Sequence, residues 1–299
     1  MGTTARTKGA ILLATDFSKP ARRAYTYALA LASVLKSRLS LLHVVKAPPG
    51  FETWSPSARR SLGPLKTKAL LELGRMVRTA EDSGVKTQYR LVVGIPEDSI
   101  LKIAKESRPD LIAMGTHGRT GWDRLQLGST VEAILRQAPC PVLTVHAAIA
   151  ANFPLRLHRF KLGRLLVAMD FSASSEAALR LAAKLVPRLN GRAVLVHAFD
   201  PSTPRLEQTH GGASHRAEQR LQKLISASQA DEAISDKIVA PGDPVGIILD
   251  QAKRVRADLI MMGTNGRRGM QRLVLGSVAE SVVRRAGCPV LVVKERGKC

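Results

Sequence analysis

DLIAMGTHGRTGWDRLQLGS, residues 110–129, returns as DLIMMGTNGRRGMQRLVLGS at residues 258–277. Fourteen of the twenty positions are identical, at an offset of 148. Each copy opens on an apolar run, turns at a glycine and reaches a Gly-Ser pair just before a helical pattern. That is strand, glycine-rich loop, helix. Self-similarity of this kind in a chain of 299 residues means a duplicated domain.

Working outward, the duplication covers both halves. Ala-Thr-Asp-Phe-Ser (14–18) returns as Ala-Met-Asp-Phe-Ser (168–172), and Leu-His-Val (42–44) as Val-His-Ala (196–198), both at an offset of 154. Cys-Pro-Val-Leu (140–143 and 288–291) keeps the offset of 148. The second copy is therefore six residues shorter somewhere between His197 and Gly242. The expected division is a domain at 1–147, a linker at 148–161 carrying Pro154 and four basic residues or histidines near it, and a domain at 162–299.

Short apolar runs alternate with helical patterns in each copy. Strands are predicted at 10–15, 39–45, 88–93, 110–115 and 141–145, and helices at 20–36, 57–82, 97–107 and 129–138. The second copy gives strands at 164–169, 193–198, 236–240, 258–263 and 289–293, and helices at 174–189, 214–228, 244–255 and 277–286. Near-continuous Leu, Ile and Val runs indicate strands buried on both faces. The alternation indicates parallel βαβ units with right-handed crossovers. Each copy then reads as an open five-stranded α/β domain, which binds ligands beyond the carboxyl ends of its strands.

Composition narrows the function. Hydrophobic residues are 45% and charged residues 23%, as in ordinary globular proteins. No stretch approaches the roughly 20 apolar residues of a membrane helix. The first residues show neither a secretory h-region nor a myristoylation pattern, which points to the cytoplasm. Three cysteines do not make a disulfide scaffold. Cys140 and Cys288 read as packed free thiols, and Cys299 is terminal. There is no CxxC, HExxH or Cys/His cluster for zinc, no Walker A motif and no GxGxxG. Neither a Ser/His/Asp order nor a paired carboxylate motif is present, so no catalytic residue is expected.

The glycines carry the chemistry. Gly115-x-x-Gly118, nine residues and Gly128-Ser129 recur as Gly263-x-x-Gly266, nine residues and Gly276-Ser277. Glycines let backbone N–H groups approach an anion, and the N-terminus of the next helix adds unpaired donors and a positive dipole end. Arg119, Arg124, Arg267, Arg268 and Arg272 lie nearby in sequence, completing a phosphate cradle. The competing reading is a helix start: Ser129-Thr-Val-Glu132 and Ser277-Val-Ala-Glu280 both fit a capping box. Asp16 and Asp170 follow the first strand, where a carboxylate serves ribose hydroxyls, a magnesium ion or helix initiation. His43 and His197 end the second strand, where core histidines are common.

These residues together resemble the universal stress protein family: the strand-end Asp16, the Leu-His-Val run, Met114-Gly-Thr-His-Gly-Arg-Thr-Gly121 and Gly128-Ser129. The pattern G-x2-G-x9-G-[S/T] is that family's ATP-binding motif, present in both halves. The resemblance implies two tandem Rossmann-like domains of the adenine nucleotide alpha hydrolase-like type, strand order 3-2-1-4-5, with strands one and four side by side. It implies that Asp16 contacts the ribose and the backbone at Val44 the adenine, while Gly115, Gly118, Gly128, Ser129 and Thr130 hold ribose and phosphates. The matching residues are Asp170, Ala198, Gly263, Gly266, Gly276, Ser277 and Val278. Val278 lacks the hydroxyl of Thr130, and Asn265 replaces His117. Magnesium would come with the ATP phosphates, with Asp16 and Asp170 as candidate ligands. The family's members are mostly binders and regulators of stress survival, and some hydrolyse ATP slowly. Its last strand commonly pairs two domains, so the Pro-Val-Leu strands imply an internal pseudo-dimer. The rivals are a scaffold of the same fold without nucleotide, and a nucleic-acid binder supported by charge alone.

The net charge is +22. Residues 1–150 hold 22 Lys and Arg against 11 Asp and Glu, and residues 151–299 hold 24 against 13, an excess of 11 in each half. There is no basic tail, and aromatics are only 4%, so base-stacking platforms are scarce. Nucleic-acid binding is therefore expected to be weak and non-specific, falling steeply as salt rises from 50 to ~200 mM. Titration of duplex and single-stranded panels at two salt concentrations checks this. Tight, sequence-selective binding at physiological salt would refute it.

Overall fold

The structure is a computed structural model that describes residues 9–47, 49–116, 127–146, 162–199, 210–264 and 275–295. Residues 9–116 and 128–146 fall in one compact unit, and the described residues from Leu162 onward in a second. The expected linker at 148–161 lies outside the described residues, apart from its boundary with Leu162.

The first unit runs β1 (Ala10–Ala14), α1 (Lys19–Leu35), β2 (Arg38–Lys46), a 3-10 turn (Phe51–Thr53), α2 (Pro56–Arg60), α3 (Gly63–Asp82), β3 (Thr87–Gly94), α4 (Pro96–Ser107), β4 (Leu111–Gly115), α5 (Ser129–Gln137) and β5 (Val142–Val145). All its strand pairs are parallel, in the order β3-β2-β1-β4-β5. The second unit runs β6 (Arg164–Ala168), α6 (Ala173–Arg188), β7 (Arg192–Phe199), α7 (His210–Ala227), β8 (Ile234–Pro241), α8 (Pro244–Arg254), β9 (Leu259–Gly263), α9 (Ser277–Arg285) and β10 (Val290–Val293). Its order is β8-β7-β6-β9-β10, again parallel. Each unit therefore has the expected order 3-2-1-4-5.

The inner strands are buried on both faces. Ile11, Leu12 and Leu13 are at most 1% exposed, as are Leu165, Leu166 and Val167. Each such side chain contributes on the order of 1.5–3 kcal/mol relative to exposure. The outer strands depart from that expectation. β3 and β8 are largely half-buried or exposed, with Tyr89 46% exposed, because they have a strand neighbour on one side only and polar residues such as Gln88, Arg90, Asp236 and Lys237 alternate into them.

The single helix expected at 57–82 is two helices, α2 and α3. Pro64 explains the break. It lacks an N–H, and inside a continuous helix its ring would collide with the carbonyl of Arg60, so it stands in the first turn of a new helix. The missing six residues of the second copy also find their place. Sixteen residues separate β2 from α3, and ten separate β7 from α7. Cys140 is packed as expected, whereas Cys288 is only partly buried. Burial, then the nearby Asp258 carboxylate, push the Cys288 thiol up to about 12.

Helix α1 packs on β4 through small residues. Ala21, Ala24 and Ala28 are at most 2% exposed. A Cβ on Gly115 would lie 2.7 Å from both Ala21 N and the Pro20 carbonyl carbon. A Cβ on Gly263 would lie 2.8 Å from Ser175 N and collide with the Ser174 hydroxyl. Backbone stands against backbone at the same place in both units. Gly115→Ala is expected to cost about 1–3 kcal/mol, the overpacking range. Gly74→Ala, at an α3 position where an added Cβ meets nothing within 4 Å, is expected to stabilise by about 0.5–1 kcal/mol. Urea unfolding of the two variants beside the parent chain checks both signs.

Candidate functional site

The order of the strands places the site. β1 lies between β2 and β4, and the chain leaves it toward β2, so a crevice opens at the carboxyl ends of β1 and β4. β1 pairs as far as Ala14↔Leu42 and Ala14↔Met114, and Thr15 N–H makes the last ladder bond, to Leu42 O at 2.9 Å. β2 continues along β3 to Lys46↔Gly94. In a parallel ladder alternate residues present both backbone groups to the same neighbour. Leu42 faces β1, so Val44 does too, beyond the point where β1 has ended. Its N–H and C=O stand on the open side of β2. The second unit repeats this: Met169 N–H bonds Val196 O at 2.8 Å, and Ala198 stands in the place of Val44.

β1 ends at a sharp corner. Phe17 has φ 63° and Phe171 φ 62°, left-handed values that cost an ordinary residue roughly 1–2 kcal/mol. Asp16 Oδ1 accepts the Ser18 N–H at 3.0 Å, and the Ser18 hydroxyl caps α1 by accepting Ala21 N–H at 3.3 Å. In the second unit Asp170 Oδ1 accepts both the N–H and the hydroxyl of Ser172, at 3.0 and 2.6 Å, and Ser172 caps α6. Asp16 and Asp170 are thus helix-initiating residues through Oδ1, and both remain partly exposed at the edge of the crevice.

His43 and His197 are structural at Nδ1. His43 Nδ1 donates to Thr15 O at 2.7 Å and its ring stacks on Phe17, with centroids 4.4 Å apart. His197 does the same to Met169 O at 2.7 Å, beside Phe171 at 4.5 Å. A carbonyl only accepts, so Nδ1 carries the proton in both rings.

The other wall comes from β4 and α5. Thr116 N–H bonds Val145 O at 3.0 Å, and Thr116 O accepts the N–H of Gly128 at 3.2 Å. That clasp hangs the start of α5 on the end of β4. Thr264 O accepts Gly276 N–H at 2.8 Å to the same effect. The N-cap residues are Gly128 and Gly276, and among the described residues no side chain caps either helix. The capping boxes of the competing reading, at Ser129 and Ser277, do not form. The serines are one residue inside the helix, and Glu132 and Glu280 bond onward to Arg136 and Arg284. Among the described residues nothing takes the first-turn amides of α5 and α9, which are donors with a positive dipole end behind them. Ser129 and Ser277 are exposed at that opening.

Three sets of these residues also have roles within the fold itself. Gly115 and Gly263 are required by helix packing. Gly128 and Gly276 have φ −63°, so positive φ is not what requires glycine there. Among the described residues, a Cβ on Gly128 would meet only Thr116 O, at 3.4 Å. The Thr130 hydroxyl donates to Glu97 Oε2 of α4 at 3.3 Å. At the matching positions of the second unit stand Val278 and Val245, a polar pair replaced by an apolar one. Gly118, Gly266 and the five nearby arginines lie outside the described residues. Among the described residues no group of three His, Cys, Asp or Glu side chains is placed to hold a metal ion, and no helix is long and apolar enough to cross a membrane.

A family model described as "Universal stress protein family" matches residues 9–146 and 161–294. A universal stress protein of Mycobacterium tuberculosis is 26% identical over 95% of this chain and 96% of its own. One of Methanocaldococcus jannaschii is 31% identical over 45% of this chain and 80% of its own. Among solved structures, a universal stress protein of Archaeoglobus fulgidus superposes with a TM-score of 0.73 at 26% identity, covering 98% of this chain and all of that one.

The Thr130–Glu97 contact is open to a direct test. Thr130→Val is expected to lower stability by about 0.5–1.5 kcal/mol, the net value of one hydrogen bond. Adding Glu97→Val, which copies the second unit, is expected to recover much of that loss. Denaturant melts of the two single variants and the double variant measure the coupling.

Proposed function

The chain belongs to the universal stress protein family, with one domain in each half, and from that premise we propose that it is an ATP-binding regulator of the stress response with two nucleotide sites. One observation carries the reading. In both units an uncapped helix start is clasped to the end of the fourth strand, across a crevice from open backbone groups at the end of the second. An anion takes the unpaired first-turn amides, and a flat base with donor and acceptor edges takes the N–H and C=O of Val44 or Ala198.

In the first unit Gly128 and Ser129 meet the phosphates, Asp16 the ribose through the oxygen that Ser18 does not use, and Val44 the adenine. In the second the same parts fall to Gly276, Ser277, Asp170 and Ala198. Gly118 and Gly266 keep the place in the phosphate loop that the family resemblance gives them. The Thr130 hydroxyl is engaged by Glu97, so Thr130 and Val278 contribute to the phosphate site through their first-turn backbone amides. Magnesium arrives on the ATP phosphates, where its charge offsets theirs. The arrangement supplies recognition and no evident general base, so nucleotide occupancy is the signal.

Gly128→Val sets a branched side chain at the approach to the first-turn amides, where an added Cβ comes 3.4 Å from Thr116 O. It is expected to weaken ATP binding at the first site by about 1.5–3 kcal/mol, roughly tenfold to over a hundredfold. Gly276→Val is expected to do the same at the second site, and the double variant to bind none. Calorimetric titration counts the sites, with circular dichroism verifying the fold. Mass spectrometry of nucleotide released from purified protein identifies the ligand. A folded double variant that binds ATP like the parent would leave a scaffold role.

A further inference from the structure

We infer that the Arg22–Glu72 ion pair in the first unit and Arg220 in the second are positioning residues that hold the left-handed Phe corners and so aim Asp16 and Asp170 at the ribose. The inference rests on the nucleotide reading above. Arg22 Nε donates to the carbonyl of Phe17 at 3.2 Å, and its Nη2 bonds Glu72 Oε2 on α3 at 2.8 Å. Arg75 holds the other Glu72 oxygen at 2.9 Å. Bonding to Arg22 is the main reason that the Glu72 carboxyl titrates below its usual range. One guanidinium thus ties the corner residue, through Glu72, to helix α3.

The second unit reverses the charges. At the offset of 154 that relates Asp16 to Asp170, Arg22 becomes Glu176. Ala69 and Leu73, buried in α3, recur as buried Ala217 and Leu221 in α7, an offset of 148 that puts Arg220 in the place of Glu72. The cation has moved from the first helix of the unit to the one after the second strand. It still reaches the corner: the Arg220 guanidinium lies over the Phe171 ring, 4.4 Å from its centroid. Glu176 turns to Arg180, at 3.7 Å. The local supports differ as well. Thr15 Oγ1 accepts the Phe17 N–H at 3.1 Å, and Met169 stands at that position in the second unit. Beside the aspartate–serine bond and the histidine ring that both corners share, different contacts support the same φ, at 63° and 62°. A disfavoured conformation kept by exchanged chemistry is held for what it positions, and the residue before it is the aspartate.

The test uses the full chain carrying Gly276→Val, so that only the first site titrates, and compares ATP with 2′,3′-dideoxy-ATP by calorimetry. Arg22→Ala is expected to weaken ATP about tenfold to a hundredfold, on the scale of one lost hydrogen bond to a charged group, and to leave the dideoxy analogue within about twofold. Asp16→Asn is expected to show the same loss of discrimination. The double reversal Arg22→Glu with Glu72→Arg installs the polarity of the second unit and is expected to recover ATP affinity to within about threefold of the parent. Arg22→Lys, which keeps the charge and loses the Nε donor to Phe17, serves if the alanine variant does not fold, and is expected to lie between. Equal weakening of both ligands, or of neither, overturns the inference and leaves the nucleotide reading standing. A Gly276→Val parent that binds no ATP at the first site overturns both.

Discussion

Backbone meets backbone where the first turn of α1 crosses the end of β4, and most of the carboxyl edge follows from that contact. Gly115 leaves no room for a Cβ between the strand and Pro20–Ala21. For the helix to lie so close, the chain must leave β1 abruptly, and it does so within Asp16–Ser18 by placing Phe17 in the left-handed region. The abrupt exit ends β1 at Thr15 while β2 runs on to Lys46. Val44 is therefore left with open backbone groups on the side where the crevice lies. Helix packing, corner strain and an unpaired strand edge are three views of one steric requirement. The second unit meets it with Gly263, Phe171 and Ala198.

Much of this was legible in the amino-acid sequence. Apolar runs alternating with helical patterns marked the strands in parallel units, most plainly the inner ones, because strands buried on both faces have no polar alternation to hide them. The recurrence of Gly115, Gly128 and Ser129 at matching spacing marked the right edge of the sheet. The individual roles were less legible. Ser129-Thr-Val-Glu132 fits a capping box whether the serine is the cap or the first helical residue. The decision is made by Thr116, whose carbonyl takes the Gly128 N–H and fixes the helix start one residue earlier. Gly115 reads as a ligand glycine, and its packing role shows only when α1, almost a hundred residues earlier in the chain, is seen against it. The left-handed Phe17 has no local sequence signal, since aromatic residues rarely adopt that conformation. Thr130 turns toward Glu97, a partner that only the packing of α4 on α5 reveals.

The duplication separates what the fold requires from what one solution happens to use. Glycine at the fourth strand end, phenylalanine after the aspartate and an uncapped glycine start are the same in both units. The hydrogen bond between α4 and α5 is exchanged for valines, and the cation beside the corner is carried by a different helix. The backbone of the crevice is thus the common property, and the side chains that brace it are interchangeable in pairs.

Those pairs have a consequence for how such a gene changes. Arg22 and Glu72 are fifty residues apart in the chain, and their counterparts bear the opposite charges. A gene-conversion tract that copied one helix of either half onto the other would bring two arginines or two glutamates together beside the strained corner. A transfer that preserves the charge pairing must therefore carry both helices together.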